Sequence, residues 1–205
     1  MPSIASLTRW LSLVSALILT QPAAVPSQEL SEAELTRREV RQEWFKVSNG
    51  QTDFEISDPA SVPKFLARFA EKSRCPYEAD IGRHPIRIVS LKSARLVIIL
   101  CRPGLFGSDK VFDLTDLQRP KVLHFPFLAT PSGFGTTDSP GGIDYQRDKD
   151  VFLAESGSDT SPAVLRHVYR YDYLGFTVAR VELRKDYGAE WTTIWEAAPW
   201  SLPPR

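Results

Sequence analysis

Residues 94–116, ARLVIILCRPGLFGSDKVFDLTD, open as an unbroken apolar run, stop on Cys101 and pass directly into Pro-Gly. In a strand, successive side chains point to opposite faces. Leu96, Ile98 and Leu100 therefore share one side while Val97, Ile99 and Cys101 share the other. Both sides are apolar, so the segment reads as a central strand covered on both faces. Before it, PIRIVSL (85–91) and ARLVIIL (94–100) are separated by Lys92 and Ser93, the spacing of a tight hairpin. One face of this hairpin needs a helix to cover it. The segment DPASVPKFLARFAEKSRCP (58–76) supplies one, with Val62, Phe65, Leu66 and Phe69 at i, i+3, i+4, i+7 spacing. Ser61 is its expected N-cap, Pro63 falls in its first turn and Pro76 lies beyond its end.

Cys75 thus falls just past the helix and Cys101 at the strand tip, and the chain holds no other cysteine. The start of the chain bears on how they are used. Residues 1–28, MPSIASLTRWLSLVSALILTQPAAVPSQ, carry Arg9, an apolar core from Trp10 to Leu19 and small residues at Ala23 and Ala24. This is the layout of a secretory signal peptide, here assigned to residues 1–24, with cleavage after Ala23 or Ser27 as alternatives. Its apolar core is shorter than the roughly 20 residues a spanning helix requires. Two cysteines in an exported chain are first read as a disulfide. A catalytic thiol needs a depressed pKa, and the aliphatics before Cys101 raise it; Arg102 is the one feature that favours a thiolate. A zinc site needs paired ligands such as Cys-x-x-Cys, and none occurs.

The chain of 205 residues has 25 basic and 25 acidic side chains. Loss of residues 1–24 removes Arg9 alone, leaving 24 basic against 25 acidic. This balance lacks the basic excess of nucleic-acid or anionic-membrane binders. Residues 25–205 are the length of one domain, with no further membrane-spanning stretch and a loose tail in PWSLPPR (199–205).

The N-terminal part of that domain, Glu29–Phe45, is charged and helix-forming, with a Ser31/Glu34 capping box and an aromatic attachment at Trp44 and Phe45. Asn49-Gly50 marks a turn and TDFEIS a short strand. Downstream, KVFDLTD, KVLHFPFL, DVFLAE, AVLRHVYRYDY, FTVARVELRKD and EWTTIWEAA read as strands, and 129–142 as a Gly-, Pro-, Ser- and Thr-rich loop. The expected fold is α+β: two N-terminal helices packed on an antiparallel β-sheet of about six to eight strands.

Three elements, LVIILCRPGLFG, YRYDYLGFTVARVE and the closing WTTIW, resemble the C-terminal part of a domain-of-unknown-function family of exported bacterial proteins. The likeness covers roughly residues 94–197. That family typically has a Gly-Ala-Tyr-Asn turn after the cysteine and a second cysteine in Gly-Asp-Cys-Gly; this chain has Pro103–Phe106 and SGSD (156–159) in those places. The resemblance implies export from a bacterium, to the periplasm or the exterior, and no particular chemistry.

Candidates for chemistry are few. His84, His124 and His167 lie on different elements without metal-ligand spacing. Asp144, Asp148 and Asp150 lack the alternation and closing Glu of a calcium loop, and GFGTTDSPGG lacks the strand and helix that a phosphate loop requires. No Gly-x-Ser-x-Gly elbow occurs. No metal or cofactor is expected. The segment HVYRYDY stands out: alternation places His167, Tyr169, Tyr171 and Tyr173 on one face. Such a face either stacks on sugar rings or anchors a protein partner, or else fills a core. The leading expectation is a non-enzymatic binding module for an envelope protein or glycan. The alternative is a small envelope hydrolase using His124 or His167 with a nearby acid.

Overall fold

The computed structural model describes residues 32–102, 107–129, 133–158 and 160–198. The proposed signal segment, the Ser31 cap and the 199–205 tail lie outside them. The fold is α+β, with two helices against a core rich in antiparallel sheet. Helix α1 spans Glu32–Ser48 and is followed by β1 (Phe54–Ile56), a 3-10 turn (Pro59–Ser61) and helix α2 (Lys64–Lys72). Strands β2 (Ile86–Ser90), β3 (Arg95–Arg102), β4 (Ser108–Asp113) and β5 (Lys121–Val122) complete a sheet in the order β1-β2-β3-β4-β5. After the hairpin of β6 (Phe125–Ala129) and β7 (Gly133–Thr137) comes a second meander. It comprises β8 (Gly142–Gln146), β9 (Val151–Ser158), β10 (Ser161–Asp172), β11 (Gly175–Arg184) and β12 (Thr192–Glu196), in the order β12-β11-β10-β9-β8.

Strand β3 lies at the centre of the first sheet, as its two apolar faces require. On one side Val97, Ile99 and Cys101 join Leu66 and Ala70 of α2 and Trp44 of α1 in one core. On the other, Leu96 and Ile98 meet Phe152, Ala154, Tyr169 and Phe176 of the second sheet, with Phe125 of β6 between. Each such apolar side chain contributes roughly 1.5–3 kcal/mol on burial. Cys75 and Cys101 form a disulfide across 26 positions, with Cα atoms 4.4 Å apart, tying the end of α2 to the end of β3. This bond is consistent with an oxidising environment outside the cytoplasm. Among the described residues no helix is long and apolar enough to cross a membrane.

Four expectations are corrected. In place of one sheet of six to eight strands there are twelve strands in three sheets among the described residues. The chain leaves the first sheet after β5 and restarts at Gly141, whose φ of +115° and lack of a side chain let it run against β9. The 129–142 loop holds β7, paired with β6 from Phe125↔Thr137 to Ala129↔Gly133. Ser61 does not cap α2: it sits in the 3-10 turn capped by Asp58, whose Oδ1 accepts the Ala60 N–H, and Pro63 takes the N-cap place. Finally, Trp44 is buried but Phe45 is exposed, since neighbouring residues on a helix lie about 100° apart.

Candidate functional site

Strand β10 carries the tyrosines, and its neighbours decide where they point. Tyr169 opposes Phe152 of β9 and Val178 of β11, so it faces the first sheet and is fully buried. Its ring meets Phe125 edge-on at 5.1 Å. His167, also fully buried, accepts the Leu128 N–H at Nε2 (3.0 Å) and packs on Phe127, which pins the β6–β7 hairpin to the second sheet. Burial lowers its pKa to about 4, so the ring is neutral at ordinary pH. Tyr171 is half-buried against Phe176, and Tyr173 lies past the strand end at the β10–β11 tip. Tyr171 and Tyr173 border a depression of about 310 Å³ with Asp113, Asp116, Arg119 and Lys121. At the tip Tyr173 is 87% and Leu174 76% exposed. The four residues of the predicted face therefore divide, two into the core and two to this tip.

The larger concavity is a cleft of about 710 Å³ along β8. As the edge strand of the second sheet, β8 has backbone groups without a strand partner, and side chains of the first sheet satisfy those of Ile143. Asp109 of β4 accepts the Ile143 N–H at 2.7 Å, while the Arg87 guanidinium of β2 donates to the Ile143 carbonyl. Arg87 lies 3.5 Å from the Asp109 carboxylate and 3.8 Å from that of Asp144. Asp109 is buried, and desolvation raises its pKa against the pull of the Ile143 amide, Arg87 and His84. Leu153 and Glu155 of β9, Arg184 of β11, and Arg83, His84 and Glu55 also line the cleft.

The loop after β11 completes the site. It places Tyr187, 61% exposed, on the cleft wall, and lays Trp191 against two guanidiniums. Arg166 and Arg184 lie 4.0 and 4.7 Å from the Trp191 ring centre. Arg166 is further held by Glu182 at 2.6 Å and Glu155 at 3.8 Å, and Arg180 by Glu182 at 2.9 Å.

Chemically, this is an arrangement of fixed charges and hydrogen-bonding groups. The seven ion pairs among the described residues all use arginine or lysine, none histidine. His124 is exposed, and His167 spends its acceptor nitrogen on a backbone amide. Among the described residues no group of three or more His, Cys, Asp or Glu is placed to hold a metal ion. The cleft residues Arg87, Asp109, Arg184 and Tyr187 were not singled out from sequence. One signal existed for Asp109: it stands two residues before Val111 on β4, so it shares that residue's inward face. An acid at an inward strand position requires partners.

No protein-family model matches this chain, and comparisons with curated proteins and with solved structures give no significant match.

Proposed function

We propose that the protein is an exported, non-enzymatic binding module of the periplasm or cell exterior whose cleft along β8 takes a glycan of the envelope. The observation that carries this reading is the cleft itself: about 710 Å³, with charged side chains fixed in pairs and an exposed tyrosine on its wall. Sugars present hydroxyls to such fixed donors and acceptors, and an apolar ring face to an aromatic side chain. The disulfide and the signal-like N-terminus support the compartment. A hydrolase using His124 or His167 gains no such support, because neither ring is joined to a carboxylate among the described residues.

The test is titration of the folded protein with soluble peptidoglycan fragments and N-acetylglucosamine oligomers, followed by backbone amide NMR. Saturable shifts at Gly142, Ile143 and Asp144, weakened about three- to tenfold by Tyr187→Ala, are expected. Shifts confined to other surfaces, or none, refute the cleft as the site. Release of new reducing ends refutes the non-enzymatic reading.

A second reading, docking of an envelope protein, is favoured by the exposure of Tyr173 and Leu174 at the β10–β11 tip. It predicts that Tyr173→Ser/Leu174→Ser abolishes a specific envelope pull-down partner while leaving glycan titrations unchanged.

A further inference from the structure

The cleft is lined by four carboxylates, Glu55, Asp109, Asp144 and Glu155, and three guanidiniums, Arg83, Arg87 and Arg184, and they are unevenly paired. Asp109 and Asp144 both face Arg87, and Glu155 faces Arg166. Glu55 is the only carboxylate on the walls without a cationic partner among the described residues. Against it stand two guanidiniums, Arg83 and Arg184, that face no carboxylate among the described residues. The two are not equivalent. Arg83 is exposed on the turn before β2, whereas Arg184 lies over Trp191, its guanidinium carbon 4.7 Å from the ring centre, and is partly buried. The Arg184 Nε is buried without a hydrogen-bond acceptor among the described residues.

A buried donor without an acceptor is rare in native proteins, and each instance calls for an explanation. Packing over the Trp191 ring restrains the Arg184 side chain, so less side-chain entropy remains to be lost when an anion engages it. Arginine presents a planar fork of donors that matches a carboxylate or phosphate. Glu182, the nearest acid on the same strand, is already taken by Arg166 and Arg180. Among the described residues no carboxylate pairs with the Arg184 guanidinium.

From this we infer that the cleft selects saccharides bearing an oxyanion, a carboxylate or a phosphate, and that Arg184 is the residue that selects them, with Arg83 a second cation on the same lining. This rests on the cleft being the glycan site. It adds a charge requirement that the glycan reading by itself does not make.

The experiment compares three probes on the full folded protein by calorimetry and amide NMR. They are a neutral N-acetylglucosamine oligomer, an oligogalacturonate of matched length as carboxylate donor, and a glucose phosphate as phosphate donor. An oxyanion-bearing probe is expected to bind about tenfold more tightly than the neutral oligomer at low salt, the gap shrinking as salt rises. Whichever of the two acidic probes gains more identifies the oxyanion. Arg184→Gln is expected to bring the charged and neutral probes to within twofold of one another, and Arg184→Lys to restore only part of the gap. Retained near-ultraviolet circular dichroism and unfolding midpoint show that each variant still folds. Equal affinity for charged and neutral probes, or a gap that survives Arg184→Gln, overturns the inference while the glycan site stands. Absence of shifts at the cleft with every probe overturns the glycan site itself.

Discussion

Removal of the Cys75–Cys101 cross-link tests the frame on which the rest is built. The two cysteines are 26 positions apart. Closing a loop of that length removes about 12 cal/mol/K from the unfolded chain, or about 3.5 kcal/mol of stability at 25 °C. Stabilities of folded domains are about 5–15 kcal/mol, so this is a large share. Both sulfurs are buried, which makes Cys75→Ala/Cys101→Ala a compound perturbation that also empties space in the core under α2. Reduced wild-type protein keeps its sulfurs and isolates the cross-link. Equilibrium urea unfolding, read by tryptophan fluorescence with and without reductant, should show a lower midpoint in the reduced form. The denaturant slope should also be steeper, because the opened chain exposes more surface. The expected loss is about 3.5 kcal/mol for reduction and more for the double alanine variant. A reduced protein within about 1 kcal/mol of the oxidised one, with an unchanged slope, refutes the argument that the bond acts by restricting the unfolded state.

Other outcomes follow from single buried groups. Burial lowers the His167 pKa from the ordinary 6.5 to about 4, so between those values the unfolded chain binds a proton that the folded protein excludes. Stability from this group is complete above about pH 6.5 and declines toward pH 4 by up to about 3 kcal/mol. The difference between wild type and His167→Gln in urea unfolding should therefore vary across that window, and parallel profiles would refute the assignment. The Tyr169 hydroxyl is buried without a hydrogen-bond partner, so Tyr169→Phe should be neutral or stabilise by about 1 kcal/mol; a loss above about 1 kcal/mol in the same assay shows a bond is made. At Gly141, a Cβ would sit 2.0 Å from the Glu155 carbonyl oxygen on a backbone with φ of +115°. Gly141→Ala should cost about 3 kcal/mol or more, and a midpoint unchanged from wild type contradicts the close approach of β8 to β9.

The parts of the fold that showed in the sequence are those governed by local periodicity. The two apolar faces of β3 and the stripe of α2 needed no knowledge of distant partners, and the compartment argument paired the cysteines. Periodicity does not say which strands share a sheet. The β6–β7 hairpin was invisible because GFGTT carries one large apolar residue, and its position rests on Leu128 reaching His167, 39 positions away. Alternation grouped His167, Tyr169 and Tyr171, but which side of β10 faces inward is set by Phe152 and Phe176 on its neighbours. The cleft residues come from β1, the turn before β2, β2, β3, β4, β8, β9, β11 and the loop after it, so no short window of sequence contains them. What brings Asp109 and Arg87 to Ile143 is the meeting of two sheets, a long-range event.

Each of the two large sheets is a meander whose strands pair with neighbours in chain order, and the cross-link lies wholly inside the first. Most strand contacts are consequently short in sequence, the condition for rapid formation. For a polypeptide delivered from its N-terminus, Cys101 becomes available to Cys75 before any residue of β8 to β12 has emerged. The covalent loop can then close on a half-made protein, leaving the later meander to dock onto a template already locked. Arg87 and Asp109 belong to that template, placed to receive the backbone of Ile143 in the first strand of the second meander.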